Sequence, residues 1–161
     1  MGTFGHEFWN IEERGDYPRE LLASITDWLH EVCRQAQERV PPGVIVYLPP
    51  RPYVLARSMR PDNVRDRGTA RQFVAAYDAP DLWVRPNITL WFAPGARLVL
   101  EADVVVRIDG PMRAEMTQIF ECAGTDSASQ RRGRVLLHST KIAEVYPEWW
   151  GAIPGSFAVA A

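Results

Sequence analysis

From Ile88 to Cys122 apolar side chains recur on even-numbered positions, first at Ile88, Leu90 and Phe92, then at Leu98, Leu100, Ala102, Val104, Val106 and Ile108. The odd positions between Arg97 and Asp109 include Arg97, Glu101, Asp103, Arg107 and Asp109. A period of two over that length restricts the segment to extended chain with one covered face and one solvated face. Pro94-Gly95 and Asp109-Gly110-Pro111 supply turns, and beyond them Ala114, Met116, Phe120 and Cys122 resume the even phase. Turns with an odd number of residues keep all these side chains on one face. Alternation of this kind is the usual signature of an antiparallel sheet with a wet side. The sequence therefore predicts a meander.

One helix accompanies the sheet. Leu21, Leu22, Ile25, Trp28, Leu29, Val32 and Ala36 share a helical face from about Pro18 to Arg39, with Asp16 as N-cap and Pro41-Pro42-Gly43 as the stop. Short strands are expected at Val44 to Leu48, Tyr53 to Arg57 and Gln72 to Tyr77, and a longer one at Arg134 to Val145. The fold class read from these patterns is α+β: an N-terminal amphipathic helix packed on an antiparallel meander of about four to seven strands. Residues 1–161 read as one domain with an irregular N-terminal segment, 1–16, and an aromatic-rich tail, 146–161. Ligand-binding rolls of the cystatin and NTF2-like kinds share this layout, as do small ring-forming connectors of phage tails; layout alone fixes no function.

The motifs that would announce a common chemistry are absent. No GxGxxG or GxxxxGK[ST] occurs, nor HExxH, paired CxxC or GxSxG. His30 and Cys33 share a helix face, and Cys122 with His138 would complete a tetrahedral metal set, but a buried cysteine beside a rim histidine needs no such coincidence. His30 is the only local candidate base for a cysteine nucleophile; both cysteines read as free thiols, and Cys33 as buried against the sheet and inert. Glu101, Asp103, Glu115 and Glu121 form a carboxylate candidate, yet the arginines among them, Arg97 and Arg107, fit a salt-bridged strand face better. The sequence implies no cofactor and no metal, and favours a non-enzymatic role. With no leader-like opening and no long apolar run, it reads as a cytoplasmic chain without a membrane partner.

Charge is more informative than motif. Net charge is −2, but the first 31 residues hold seven acids against two arginines, whereas Arg51, Arg57, Arg60, Arg65, Arg67 and Arg71 face only two acids in their stretch. Complementary segments on one chain suit a contact between copies, which gives rings or filaments when the two surfaces differ. Affinity then needs apolar anchors, for which Phe4, Phe8, Trp9, Tyr146, Trp149, Trp150 and Phe157 are candidates. The leading expectation is a structural or assembly protein, such as a ring-forming connector or virion-type component. It binds a protein partner, itself included, through those six arginines with Trp149 and Trp150. The alternative is a small-ligand or enzymatic pocket between helix and sheet, lined by Trp28, Tyr77 and Phe120. A third is nucleic-acid binding through the arginine loop with Tyr53, Phe73 and Tyr77 as stacking surfaces.

Overall fold

A computed structural model describes residues 7–13, 25–39, 43–58, 80–124, 131–138 and 141–152. Strand β1 (Glu7–Asn10) and a 3-10 turn at Ile11–Glu13 precede helix α1 (Ile25–Gln37). Then follow β2 (Val44–Leu48), β3 (Pro52–Leu55), β4 (Leu82–Val84), β5 (Ile88–Phe92), β6 (Arg97–Leu100), β7 (Val105–Ile108), β8 (Met112–Arg113), β9 (Phe120–Cys122) and β10 (Arg134–Leu137). A second 3-10 turn closes the described chain at Pro147–Trp150.

All strand pairs are parallel, which overturns the expected antiparallel meander. The strands form three sheets: A, in the order β1-β2-β5-β8; B, β3-β6-β9; and C, β10-β7-β4. From β2 onward each strand leaves its sheet for the next, and the following three strands stack on the first three. The chain thus winds as a coil of three turns, β2-β3-β4, β5-β6-β7 and β8-β9-β10, about one core. Leu90 pairs with Met112 and Leu98 with Phe120, 22 positions on in each case.

The alternation was real and its interpretation was not unique. A parallel sheet usually has both faces covered and then shows a continuous apolar run. A sheet that curls around its own core covers only its inner face, and so alternates like an antiparallel one. Ile88, Leu90, Leu98, Leu100, Val104, Val106, Ile108 and Phe120 are all fully buried, as the even phase requires. The expected strand from Arg97 to Asp109 is divided by a corner at residues 101–104, where Asp103 takes φ +64°. Aspartate tolerates the left-handed region better than most residues, so the chain turns there without glycine or proline to announce it. Pro94-Gly95 likewise makes a corner between sheets A and B, with Gly95 at φ +92°, and not a reversal.

Other boundaries shift modestly. Val44–Leu48 is the strand expected; β3 ends at Leu55; β10 ends at Leu137, eight residues short of expectation. Strand β1 lies in the segment read as irregular and pairs with β2. The helix is described from Ile25, so Leu21 and Leu22 lie outside the described residues, as does the strand expected at Gln72 to Tyr77.

The interior is filled by columns of side chains, Tyr53-Leu98-Phe120, Leu82-Val106 and Val84-Ile108 among them, with Phe92 edge-on to Phe120 at 5.8 Å. Fully covering each such side chain is worth about 1.5–3 kcal/mol. The corners are held by specific contacts. Asp81, fully buried, accepts hydrogen bonds from Ser58 N at 2.9 Å and Val105 N at 2.8 Å, joining the first turn of the coil to the second. At Gly110 a Cβ would lie 1.9 Å from the Ile88 carbonyl oxygen, so only glycine lets the chain enter the third turn so close to the one below.

Candidate docking site at the open end of the coil

The two ends of the coil are finished differently. At the N-terminal end α1 buries Leu29, Val32, Cys33 and Ala36 against the first turn, touching β4, β3 and β2. Its polar side chains also satisfy strand edges. Thr26 Oγ1 donates to the Ala56 carbonyl at 2.7 Å, and His30 Nδ1 accepts from Trp83 N at 3.3 Å. Asp27 accepts from the Ser58 hydroxyl. His30 is therefore an edge cap, a role that no sequence motif marks. Cys33 is wholly enclosed, and burial pushes its thiol up to about 12. The space between helix and strands, where a ligand cavity was one expectation, is occupied by these side chains; Trp28 packs partly buried beside them, and Tyr77 lies outside the described residues.

The C-terminal end is covered only in part. Trp149 packs across it, 4 % exposed, donating from Nε1 to the Glu115 carbonyl at 3.0 Å and from its backbone carbonyl accepting Ile119 N. Trp150 lies against Phe120 at 5.1 Å. This seals Phe120, but Met112, Cys122, Val135 and Leu137 remain partly exposed, although they point inward in register with Leu90, Leu100, Val106 and Ile108. Those second-turn partners are all at 0 % exposure. Of the six large apolar side chains exposed among the described residues, four belong to the third turn and tail: Met116, Leu136, Val145 and Trp150.

Between Trp150 and the β9–β10 corner lies a cleft of about 460 Å³, lined by Phe120, Cys122, Val135 and Leu136 with Arg132 and Arg134 at its rim. Burial raises the Cys122 thiol, opposed by the Arg132 charge. On the other side of Leu136 a second cleft of about 310 Å³ is bordered by Arg107, Asp109 and His138. Among the described residues no backbone hydrogen bond joins the outer edge of β10 to another segment. Unpaired strand edges and contiguous exposed apolar patches are the features at which chains commonly associate.

The residues singled out from sequence fall in several places. Arg51 pairs with Glu12 at 2.6 Å near the first turn, and Arg57 is half-buried beside α1's attachment at Ser58. Arg60, Arg65, Arg67 and Arg71 lie outside the described residues, as do Phe4, Phe73, Tyr77 and Phe157. Trp149 is packed in cis and Trp150 is at the open end. Glu101 and Asp103 sit at the B–C corner, where Asp103 accepts from Arg131 N at 3.2 Å, and Glu121 faces Arg97 at 3.8 Å. These carboxylates are dispersed. Among the described residues no three histidine, cysteine or acidic side chains converge on a metal position, and no helix is long and apolar enough to cross a membrane.

On the outer face of sheet A the sequence pattern singled out Phe8 as a candidate anchor and missed its partners. There Phe8, Tyr47 and Trp91 pack on one another at 5.3–6.0 Å, with the Arg113 guanidinium 5.7 Å from the Trp91 ring. It also missed Trp83 on sheet C, whose Nε1 donates to Asp109 Oδ2 at 2.8 Å while Arg85 lies 3.6 Å over the ring. The odd-numbered aromatics Trp83 and Trp91, outward on strands whose even positions face in, were the available signal. Comparison with protein-family models, curated proteins and solved structures finds no match for this chain.

Proposed function

We propose that this chain is a non-enzymatic assembly component that self-associates through the open C-terminal end of its coil. The observation that carries the reading is the contrast between successive turns: Leu90, Leu100, Val106 and Ile108 are fully buried, and the side chains stacked on them are not. Covering the remaining exposed part of these four side chains, about a third of each at most, is worth no more than roughly 2–4 kcal/mol, at about 1.5–3 kcal/mol for each complete burial. The exposed Leu136, Met116, Val145 and Trp150 add a similar amount. Association itself costs about 4–15 kcal/mol. The balance favours contacts that form with concentration over permanent ones.

Light scattering coupled to size exclusion tests this with Leu136→Glu, outward on the edge strand β10 of the last turn, and Trp150→Ala, and with Val54→Glu, outward on the first turn away from the open end, as control. Val54 is 48 % exposed against 39 % for Leu136, so the control changes a comparable surface elsewhere. The expected result is a mass above 18.2 kDa that rises with concentration, falls to the monomer in the first two variants and persists in the third. A monomer at all concentrations, or equal behaviour of Leu136→Glu and Val54→Glu, refutes the reading.

A further inference from the structure

We infer that the surface received by the open end is the outer face of α1 on a second copy, so that copies stack head to tail along the coil axis. The inference rests on the docking role of the open end and adds its complement. Charge is the first support. Residues 7–13 and 25–39 hold Glu7, Glu12, Glu13, Asp27, Glu31 and Glu38 against Arg34 and Arg39, with Glu12 paired to Arg51 of the first turn and Glu7 to Arg39. On the exposed side of α1 one guanidinium, that of Arg34, is shared at 2.6 Å by both Glu31 and Glu38, which leaves that face negative. At the other end the described third turn and tail hold Arg113, Arg131, Arg132, Arg134 and Lys141 against Glu115, Glu121, Glu144 and Glu148, and the locally basic part is the segment 131–138, with Arg131 and Arg132 exposed and Glu121 beside them across the cleft.

Topology is the second support. The outermost strands of sheet A are β1 at the helix end and β8 at the open end. Stacking one copy on the next sets β1 beside β8 with strand direction preserved, so sheet A continues as the parallel sheet it already is. Phe8 on β1, 51 % exposed on the outer face of sheet A against Tyr47 and Trp91, borders this junction. A two-fold contact of two open ends would instead reverse strand direction and bring two Arg131–Arg132–Arg134 clusters together, and like charges facing across an interface are disfavoured. The head-to-tail contact joins two different surfaces, and such contacts close into rings or grow into filaments.

The test is a charge swap followed by light scattering at low salt. Arg131→Glu/Arg132→Glu makes both ends acidic, and Glu31→Lys/Glu38→Lys makes both ends basic. The wild type is expected to pass beyond a dimer as concentration rises. Each reversed variant alone should assemble at least about tenfold more weakly, since two reversed surface charges alter several pair interactions at once. An equimolar mixture should recover wild-type assembly, because each remaining contact is then complementary. Circular dichroism checks the fold, and the milder Glu31→Gln/Glu38→Gln serves where the lysine variant does not fold. Assembly that stops at a dimer, or that ignores the α1 substitutions while still failing in Leu136→Glu, overturns the head-to-tail contact and leaves the open end as a docking surface. A monomer under all conditions overturns both.

Discussion

Removing the Asp81 carboxylate should be among the most damaging changes that leave the apolar core intact. Asp81 is fully buried, and its two oxygens accept backbone N–H groups from separate turns of the coil, Ser58 at 2.9 Å and Val105 at 2.8 Å. Asp81→Ala strands both donors. Each unsatisfied buried donor costs about 1–3 kcal/mol, so the loss should be about 2–6 kcal/mol. That is a large part of the ~5–15 kcal/mol by which a domain is stable. For a chain of this length each kcal/mol lowers Tm by about 2–4 °C, so a loss near ~4 kcal/mol appears as roughly 8–16 °C. Urea titration followed by circular dichroism gives the free energy, and amide exchange at Ser58 and Val105 reports the two bonds separately. Asp81→Asn keeps one acceptor and turns an N–H₂ toward the other amide, so it should lose at least one bond and protect one amide less than the other. The reasoning is refuted if Asp81→Ala costs less than about 1 kcal/mol or Asp81→Asn matches the wild type, since a net hydrogen bond alone is worth about 1 kcal/mol.

Two further outcomes follow from burial. Cys33, held up to about 12, should resist thiol reagents near pH 8 in the native protein and react on denaturation; rapid native labelling at Cys33 would contradict the enclosed helix face. Because its folded value lies above the ordinary 9.0, the unfolded chain releases this proton first, so stability should decline as pH rises from about 9 toward 12, measurable as a falling urea midpoint that Cys33→Ala removes. Trp149→Ala should destabilise by about 3–5 kcal/mol, as expected for a large buried aromatic; an unchanged melting curve would mean that the tail does not seal the end in cis.

The inward positions were legible because they follow from the period alone: Val44, Val46 and Leu48, like Leu98, Leu100, Val106 and Ile108, are where alternation puts them. Strand direction was not legible, since a period of two is the same in a parallel and an antiparallel ladder. What distinguishes them is how far the chain turns at each corner. Asp103 and Gly95 both adopt positive φ and re-aim the chain without reversing it. The helix face was legible and its partner was not, because α1 meets the edges of strands and not the face of a sheet. In the same way Trp150 could be singled out from sequence, while the incomplete cover over Met112, Val135 and Leu137 depends on which turn of the coil comes last.

In a coil each turn touches only its neighbours, so the strand-pairing energy is a chain of nearest-neighbour terms. The middle turn, β5-β6-β7, is the one with strands paired on both sides in all three sheets. Whatever one end senses must be relayed through that turn, and its closely packed side chains give it little freedom to deform. Under the proposed docking, binding at the open end would act chiefly by suppressing fraying of β8, β9 and β10, and would leave the helix-bound turn almost uninformed. An array of such units would be stiff along its axis yet poorly cooperative from one unit to the next, growing by independent additions at its tip.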